Sequence, residues 1–369
     1  MKIFVAGTRG IPSIPGGVEK HCQELYPLIA VQGHDVLLAT RVQYVTQKED
    51  EWRGVALRHI FAPHKKSLEA IVHTFLAIIQ ARLAKVDIVH IHGVGPGLLV
   101  PLARLFGLKV VWTNHGPDYD RGKWDLLAKK MLMLGEWLGG KFANEVIVIS
   151  QVIQDIVEKR CNRYSHIIYN GVPIPDKSDS DVFLRKLNIV PGKYVLAVAR
   201  FVPEKGLHDL IEAFSKITGD YQLVIAGDAD HETPYSRKLR QLATQDSRVI
   251  LTGYITGEDL NQVFSHAKLF VLPSYHEGLP IALLEAMSYG LAVLVSDIPA
   301  NKEVALANER FFRCGDVEEL RQKIEMLFKK GLAESEVLDF RLQIAEKYNW
   351  LIIAEQTVAV YEKTLSGRS

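Results

Sequence analysis

The sequence lacks long apolar runs, has few cysteines and carries almost no net charge, and each of these shortages excludes a class of protein. Charged residues interrupt every apolar run before it reaches the ~20 residues of a membrane-spanning helix. The first residues, MKIFVAGT, are typical of a strand rather than of a signal peptide. The three cysteines, Cys22, Cys161 and Cys314, are too far apart for a metal-binding motif, so free thiols and a cytoplasmic location are expected. A net charge of +1 gives no reason to expect a nucleic-acid partner.

What the chain does have is the composition and length of a two-domain globular protein, with 48% hydrophobic and 24% charged residues among 369. Strand-like segments alternate with amphipathic segments on both sides of a break near Asn170, where a turn dipeptide is followed by prolines and small polar residues. This alternation predicts an α/β fold of two doubly wound Rossmann-like domains that face each other across a cleft. The predicted bounds are 1–172 with a C-terminal helix at about 351–369, and 173–350.

The pattern also predicts individual elements. Strands are predicted at Ile3–Ala6, Asp35–Ala39, Ile88–Ile91, Val110–Thr113, Glu145–Ile149, His166–Tyr169, Tyr194–Ala199, Gln222–Ala226, Val249–Leu251, Leu269–Leu272 and Ala292–Ser296. Helices are predicted at Val18–Val31, Leu68–Leu83 and Trp124–Leu138, and the tail from about Val337 as wholly helical. Ligands of parallel sheets bind beyond the carboxyl ends of the strands, so functional residues are expected just after these strands.

The turn after the first predicted strand carries Gly16 and Gly17 directly before a helix. Glycines in this position allow backbone N–H groups and a helix N-terminus to approach a phosphate. The alternative is a glycine-rich turn that needs only the backbone angles.

A second turn, ARFVPEKG, places Arg200 and Lys205 between a strand and a helix. Two cations five residues apart on a short loop can face one anion, the arginine through two hydrogen bonds and the lysine as a point charge. The alternative is a pair of solvated surface charges.

A third segment, HEGLPIALLEAMSYG, carries two acids eight residues apart. If a helix begins near Pro280, Glu277 lies on the preceding loop and Glu285 in the second turn. The free N–H groups around Leu279, Pro280 and Ile281 then predict an anion site, although proline itself has no N–H. Glu285 is suited to accept hydrogen bonds from both hydroxyls of a ribose, and its apolar neighbours would make an unpaired acid costly. The alternative is an ordinary acid of an amphipathic helix.

Together the segments PGGVE, ARFVPEKG and HEGLPIALLEAMSYG, in this order, resemble the retaining glycosyltransferases of family 4, which have the GT-B fold. The resemblance covers nearly the whole chain. The segments TRGIPSIPGGVE and HGPDYDRGKWDLLAKKMLMLGE are similar to bacterial enzymes of surface-polysaccharide synthesis, including rhamnosyltransferase-like members.

The resemblance implies that a sugar passes from a nucleotide diphosphate sugar to an acceptor hydroxyl with retention of configuration. It implies an acceptor-side first domain and a second domain that binds the nucleotide sugar. The residues implied for catalysis are His115, Arg200, Lys205 and Glu277, and those implied for nucleotide-sugar binding are Gly16, Gly17, Arg200, Lys205, Gly278, Leu279, Pro280, Ile281 and Glu285. Two other functions on the same scaffold stay open: an epimerase or phosphorylase of sugar nucleotides, and a silent binding subunit, against which the intact set of charged residues counts.

Two patterns raise the question of a metal. Asp228 and Asp230 form a D-x-D sequence, which is here interpreted as a turn rather than a metal ligand. His90 and His92 alternate at the end of a strand, and no third ligand is expected nearby, which makes zinc binding unexpected. We therefore predict no metal and no cofactor, a structural role for His90 and a position near the cleft for His92.

Basic residues are concentrated in the first half, with 21 Lys and Arg against 15 Asp and Glu up to Val172, and 23 against 28 after it. Two predicted helices pair basic with bulky apolar residues. The first is His64–Lys85, with Lys65, Lys66, Arg82 and Lys85 flanking Leu68, Ile71, Phe75 and Ile78; the second is Arg121–Lys141, where Trp124, Leu127, Met131 and Leu134 share a face and Lys129 and Lys130 lie off it. We predict peripheral contact with the cytoplasmic face of an anionic membrane and a lipid-linked saccharide as acceptor. The alternative is that both apolar stripes pack on the sheet.

Overall fold

The computed structural model describes residues 1–14, 16–45, 49–64, 66–117, 119, 126–229 and 231–367. The chain forms two compact units, one made of Met1–Gly171 with Asn349–Ser369 and the other of Val172–Tyr348. The chain therefore leaves the first unit once and returns to it at the end.

The first unit is built on a sheet that has eight strands in the described part of the chain. They are β1 (Lys2–Ala6), β2 (Asp35–Arg41), β3 (Glu51–Trp52), β4 (Val55–Ile60), β5 (Ile88–His92), β6 (Val110–Asn114), β7 (Glu145–Val148) and β8 (His166–Ile167). Their order is β3-β4-β2-β1-β5-β6-β7-β8, with β3 antiparallel to β4 and the other neighbours parallel. Every residue of β5 and β6 is buried, as expected for central strands covered on both faces.

Helices cover both faces of this sheet. They are α1 (Gly17–Val31), α2 (Lys66–Leu83), α3 (Val94–Gly97), α4 (Val100–Leu105), α5 (Leu126–Phe142) and α6 (Gln151–Cys161).

The second unit repeats the α/β pattern on a parallel sheet, in the order β11-β10-β9-β12-β13-β14. Its elements are α7 (Val182–Lys186), β9 (Tyr194–Val198), α8 (Leu207–Ser215), β10 (Gln222–Ala226), α9 (Pro234–Ala243), β11 (Val249–Gly253), α10 (Gly257–Ser265), β12 (Leu269–Leu272), α11 (Ile281–Ser288), β13 (Ala292–Ser296), α12 (Pro299–Lys302), β14 (Phe311–Phe312), α13 (Val317–Lys330) and α14 (Glu334–Lys347). A continuous apolar core joins the strands to α8 and α13.

The last helix, α15 (Trp350–Ser366), returns to the first unit and packs against α1. A Cβ at Gly171 would lie 2.6 Å from the Trp350 ring, so a glycine is needed where the two segments cross. The tail was predicted as wholly helical, but it breaks at Tyr348 and Asn349. Asn349 starts α15 anew, because its side-chain oxygen accepts a hydrogen bond from the N–H of Leu351 at 2.9 Å.

The predicted fold class, two Rossmann-like α/β domains with parallel sheets, is confirmed. The strands β10, β12 and β13 have the predicted bounds, because each is a buried apolar run between turns. The prediction missed β3, β4 and β14. The strands β3 and β4 form a hairpin whose turn, Arg53 and Gly54, has positive φ at both residues. This dipeptide before the alternating sequence VALRHI was the sequence signal that indicated a hairpin.

Helix α5 packs through glycines rather than through its bulky side chains. Gly135, Glu136, Gly139 and Gly140 form its buried face. A Cβ at Gly139 would lie 2.6 Å from the buried Trp112 indole, and one at Gly135 would lie 2.1 Å from the carbonyl oxygen of Val94. The helix therefore approaches the sheet closely, and its large apolar residues remain on the outer face.

We predict that Gly139→Ala lowers the free energy of unfolding by about 1–3 kcal/mol, because the new methyl group overlaps a buried ring. Helix propensity alone would give the opposite sign, since alanine is favoured over glycine by about 1 kcal/mol in a helix interior. Urea denaturation measures the difference. Gly95→Ala is the control, because a Cβ there meets the Leu132 side chain at an ordinary 3.6 Å. A Gly139→Ala variant at least as stable as the wild type would contradict this packing.

Candidate active site

In the second unit, a close backbone contact brings together two of the loops singled out in the sequence. Gly206 has φ +62°, and a Cβ there would lie 2.1 Å from the carbonyl oxygen of Pro273. Two residues away on each segment, the N–H of Tyr275 donates to the carbonyl oxygen of Glu204 at 2.8 Å. The turn after β9 and the loop after β12 therefore lie side by side.

This contact pairs Lys205 with Glu277. Lys205 Nζ lies 2.6 Å from Glu277 Oε1, and the Ser274 hydroxyl donates to the same oxygen at 2.7 Å. The two charged side chains are only 19% and 9% exposed. An ammonium has three N–H donors and a carboxylate has two oxygens, so both groups keep capacity for a ligand. The sequence indicated the two residues separately, and their direct pairing is a finding of the structure.

Arg200 lies just beyond β9 on the same connection as Lys205, with an exposed side chain. The intervening backbone is a tight turn, in which the N–H of Val202 donates to the Arg200 carbonyl oxygen at 2.9 Å, followed by a 3₁₀ turn at Pro203–Lys205. The connection thus presents both cations at the carboxyl end of β9.

Helix α11 begins at Ile281 with Pro280 as its N-cap, so the predicted start near Pro280 is confirmed. Glu277 precedes the helix, with Gly278 next to it, and Glu285 lies in the second turn. One part of the prediction is wrong: the N–H of Ile281 is not free for an anion, because it donates to the Leu279 carbonyl oxygen at 2.9 Å. The local turn satisfies this donor, which the sequence could not reveal.

Glu285 is half-buried on α11 and lies one turn before Tyr289. Burial and then the negative charge of Glu285 raise the pKa of Tyr289 to about 12. The Tyr289 hydroxyl donates to Asn261 Oδ1 at 3.0 Å. The half-buried carboxylate of Glu285 therefore lies near the Tyr289 hydroxyl.

Beyond β9, β10 and β11 lies a cavity of about 600 Å³, whose lining includes Phe201, Asp228, Arg240 and Gly253. Arg240 donates to the carboxylate of Asp228 and stacks over the Phe201 ring at 5.8 Å. The first acid of the D-x-D sequence is thus paired with a cation. The second, Asp230, lies outside the described residues.

In the first unit, Gly16 and Gly17 begin α1 as expected. Gly16 is the N-cap, with φ 148°, and a Cβ there would lie 2.0 Å from Glu19 Oε2 and 2.3 Å from Arg9 Nη2. The buried Glu19 accepts hydrogen bonds from the Arg9 backbone N–H at 3.0 Å and from Arg9 Nε at 3.1 Å. Sequence reasoning missed this pair, which places a guanidinium beside the glycine turn; the arginine in the same βα turn was the signal.

His115 follows β6, and its Nε2 lies 2.9 Å from His92 Nδ1. The His21 ring stands against the His115 ring with centroids 4.9 Å apart. One ring nitrogen of each of these three histidines lies within 4.8 Å of the others, so the premise that His92 has no third ligand nearby is wrong in space. Burial lowers the pKa of His21 to about 4 and holds the pKa of His92 and of His115 well below the usual range. All three are therefore neutral near pH 7.

A chain of hydrogen bonds continues from His92 into the core. Its Nε2 lies 2.5 Å from the Tyr26 hydroxyl, which lies 2.9 Å from His90 Nδ1. The Tyr361 hydroxyl of α15 also reaches His90 Nδ1, at 2.6 Å, and His90 Nε2 lies 2.6 Å from Thr113 Oγ1. The structural role predicted for His90 is confirmed, since both of its ring nitrogens are satisfied in the core.

A buried acid on α5 fixes the loop of His115 through hydrogen bonds. Glu136 accepts from Asn114 Nδ2 at 3.1 Å, and its charge is balanced by Arg160 at 3.0 Å. Asn114 in turn accepts from the N–H of Gly116 at 2.9 Å, so the residues on either side of His115 are fixed. Sequence reasoning also missed Glu136.

Comparison with known proteins identifies the chain. Residues 179–341 match the family model described as glycosyl transferases group 1, and residues 15–174 match the model described as glycosyltransferase family 4. The chain is a glycosyltransferase. The two matches fall in the second and the first unit, so each unit of this glycosyltransferase corresponds to one model.

Several curated glycosyltransferases are similar to it. An uncharacterized glycosyltransferase of Methanocaldococcus jannaschii is 26% identical over 98% of this chain and 98% of that protein. A serotype-specific mannosyltransferase of Escherichia coli is 30% identical over 61% of this chain, which spans only 29% of that protein. An N,N'-diacetylbacillosaminyl-diphospho-undecaprenol α-1,3-N-acetylgalactosaminyltransferase of Campylobacter jejuni is 27% identical over 52% of this chain and 50% of that protein.

Solved structures give the same fold. A sucrose-phosphate synthase of Thermosynechococcus elongatus superposes with a TM-score of 0.85 at 21% identity, over 99% of both chains. An Anabaena protein solved with UDP-glucose superposes with a TM-score of 0.78 at 18% identity, over 99% of both chains. The glycosyltransferase thus has the GT-B fold. Among its described residues no helix combines the length and apolar character needed to cross a membrane.

Proposed function

We propose that this glycosyltransferase transfers a sugar from a nucleotide diphosphate sugar to a hydroxyl of a lipid-linked saccharide, with retention of the anomeric configuration. The observation that carries the proposal is the Lys205–Glu277 pair beside Arg200 and the start of α11. Two further observations support it: a relative is named for a diphospho-undecaprenol acceptor, and a structural neighbour was solved with UDP-glucose.

The charges of the second unit suit the leaving group. Cleavage of a glycosyl–phosphate bond places negative charge on the departing diphosphate, which preorganised cations and N–H groups stabilise. Arg200 and Lys205 supply two positive charges at the end of β9. The loop from Gly278 to Pro280, at the N-terminal end of α11, adds the favourable end of a helix dipole.

The hydrogen bonds of Glu277 support retention without a protein nucleophile. Glu277 Oε1 already accepts from Lys205 and Ser274, which favours a role in holding sugar hydroxyls over nucleophilic attack. The attacking hydroxyl therefore gives its proton to an oxygen of the departing diphosphate on the same face of the sugar. His115, being neutral with a low pKa, is a poor base and is assigned to orienting the donor sugar.

We predict that Lys205→Ala and Arg200→Ala each lower kcat by about 10²–10³-fold, because each removes charge stabilisation needed most in the transition state. Steady-state kinetics with a panel of nucleotide sugars measures the effect, and melting temperatures separate it from loss of stability. Lys193→Ala is the matched control, since that lysine pairs with the exposed Asp220 on the surface. A wild-type kcat in both Lys205→Ala and Arg200→Ala would refute the role of these cations in stabilising the leaving group.

Glu285 is expected to bind ribose, so Glu285→Ala should weaken nucleoside diphosphate binding, and Glu285→Gln should weaken it less because an amide oxygen still accepts one hydrogen bond. Glu277→Gln should instead lower kcat more than nucleotide affinity. Calorimetric titration with UDP, GDP, dTDP and ADP gives the affinities and identifies the base. Unchanged affinity of both Glu285 variants for every nucleotide would exclude the ribose role.

The acceptor side of the proposal rests on the outer face of α5. Its exposed apolar residues are Leu126, Leu127, Met131, Met133, Leu134, Trp137 and Phe142. The basic residues Lys130 and Lys141 are exposed along the same helix. Lys130 lies one turn before Leu134, at the edge of the apolar stripe.

The alternative that both apolar stripes pack on the sheet does not hold for α5, whose buried face is glycine and Glu136. For α2 the stripe is divided: Leu68 and Phe75 are exposed, whereas Ile78 is buried. The predicted membrane residues Lys65, Arg121 and Trp124 lie outside the described residues. A basic helix with an exposed apolar face is suited to rest in the headgroup region of an anionic membrane.

We predict that the protein sediments with vesicles of anionic lipid at low salt and is released at high salt, because part of the attraction is screened. Leu127→Glu, at a position that is 70% exposed, should weaken sedimentation without loss of stability. Leu338→Glu, on α14 of the second unit and 58% exposed, is the control and should sediment as the wild type does. Equal recovery in the supernatant with anionic, neutral and no vesicles at low salt would leave an acceptor in solution.

A further inference from the structure

Three histidines from separate segments of the first unit meet at one point: His21 from α1, His92 from the end of β5 and His115 from beyond β6. One ring nitrogen of each lies within 4.8 Å of the others. We propose that this cluster binds a divalent transition-metal ion of the Zn²⁺ type, and that the ion inhibits sugar transfer. The binding stands on the geometry alone; the inhibition rests on the proposed role of His115.

The distances are close to those of a metal site. A histidine nitrogen lies 2.0–2.1 Å from Zn²⁺, so two nitrogens of a tetrahedral site are about 3.3 Å apart. His92 Nδ1 and His115 Nε2 are 2.9 Å apart and share one proton. An ion between them replaces that proton after a shift of a few tenths of an ångström. Rotation of the His21 side chain closes the remaining distance.

The outer partners of two histidines favour the tautomers that a metal needs. Asn170 Oδ1 lies 2.7 Å from His21 Nδ1 and accepts its proton, which leaves the His21 Nε2 lone pair for the ion. The Tyr26 oxygen can accept from His92 Nε2 while its hydroxyl proton goes to His90 Nδ1 at 2.9 Å. Metal-binding histidines usually donate their second N–H to an oxygen in this way.

Metal binding to the cluster releases no proton. The proton between His92 Nδ1 and His115 Nε2 moves to the other nitrogen of its own ring, so three neutral imidazoles bind the ion and none is released. Three protein ligands leave a fourth position for water. An ion held in this way coordinates His115 Nε2, which is then no longer able to contact the donor sugar. The proposed metal is thus an inhibitor and not a cofactor.

The test of binding uses the full-length protein, stripped with a chelator and titrated with Zn²⁺ or Co²⁺. We expect one equivalent to bind, with the absorption spectrum of tetrahedral Co²⁺ and a higher melting temperature. His21→Gln removes a ligand and should abolish the spectrum. Asn170→Ala removes an outer partner and should weaken binding by about tenfold or more. His64→Gln, which changes an exposed histidine outside the cluster, should bind as the wild type does.

The absence of a one-to-one tetrahedral Co²⁺ complex in the wild-type protein would overturn the proposal, whether or not the variants fold. An unchanged spectrum in folded His21→Gln would do the same. In the activity assay, the chelated enzyme should be fully active, and Zn²⁺ should inhibit it in competition with the nucleotide sugar until a chelator is added. Binding without inhibition would overturn the inhibitory part and the role of His115, while leaving the charge cluster of Arg200 and Lys205 to its own test.

Discussion

The packing of α5 against the buried Trp112 ring determines which side chains of this helix are buried and which are exposed. Without side chains at Gly135, Gly139 and Gly140, the helix backbone comes close enough to touch the carbonyl of Val94 and the face of the indole. This approach carries Glu136 beneath the end of β6, where it holds Asn114. It also leaves most of the large apolar side chains of α5 exposed on the outer face. A single steric requirement thus determines a buried polar network and an exposed apolar face.

The second unit uses the same kind of contact to assemble charge. Gly206 allows the turn after β9 to touch the Pro273 carbonyl, and a Cβ at that position would separate the two loops. Lys205 and Glu277 then meet in a poorly exposed place, where an ion pair is stabilised mainly by its geometry and its additional hydrogen bonds. The Ser274 hydroxyl supplies such a bond, and Ser274 is itself held, because its carbonyl oxygen accepts from the Ser296 hydroxyl at 2.5 Å.

The sequence predicted what depends on local pattern and missed what depends on distant contacts. Buried strands such as β12 read directly as apolar runs between turns. Lys205 and Glu277 were found as individual residues, but 72 residues separate them, and no local pattern indicates that they pair. The periodicity of α5 revealed an apolar stripe without revealing which side faces the sheet; the glycines spaced four apart at Gly135 and Gly139 carried that information. The histidine cluster could not be predicted, because its members come from a helix, a strand end and a loop that are distant in the sequence.

One element links the two halves of the proposed function in the first unit. Helix α5 carries the basic and apolar outer face on one side and Glu136 on the other. Glu136 is tied to Asn114, the residue before His115, and Arg160 balances its charge. Since the glycine packing leaves α5 little freedom to move relative to Trp112, a membrane that bound the proposed outer face would also orient the loop of His115. The proposed acceptor surface and the loop of His115 are thus connected through one helix, so an acceptor held at a membrane would have a defined orientation relative to His115.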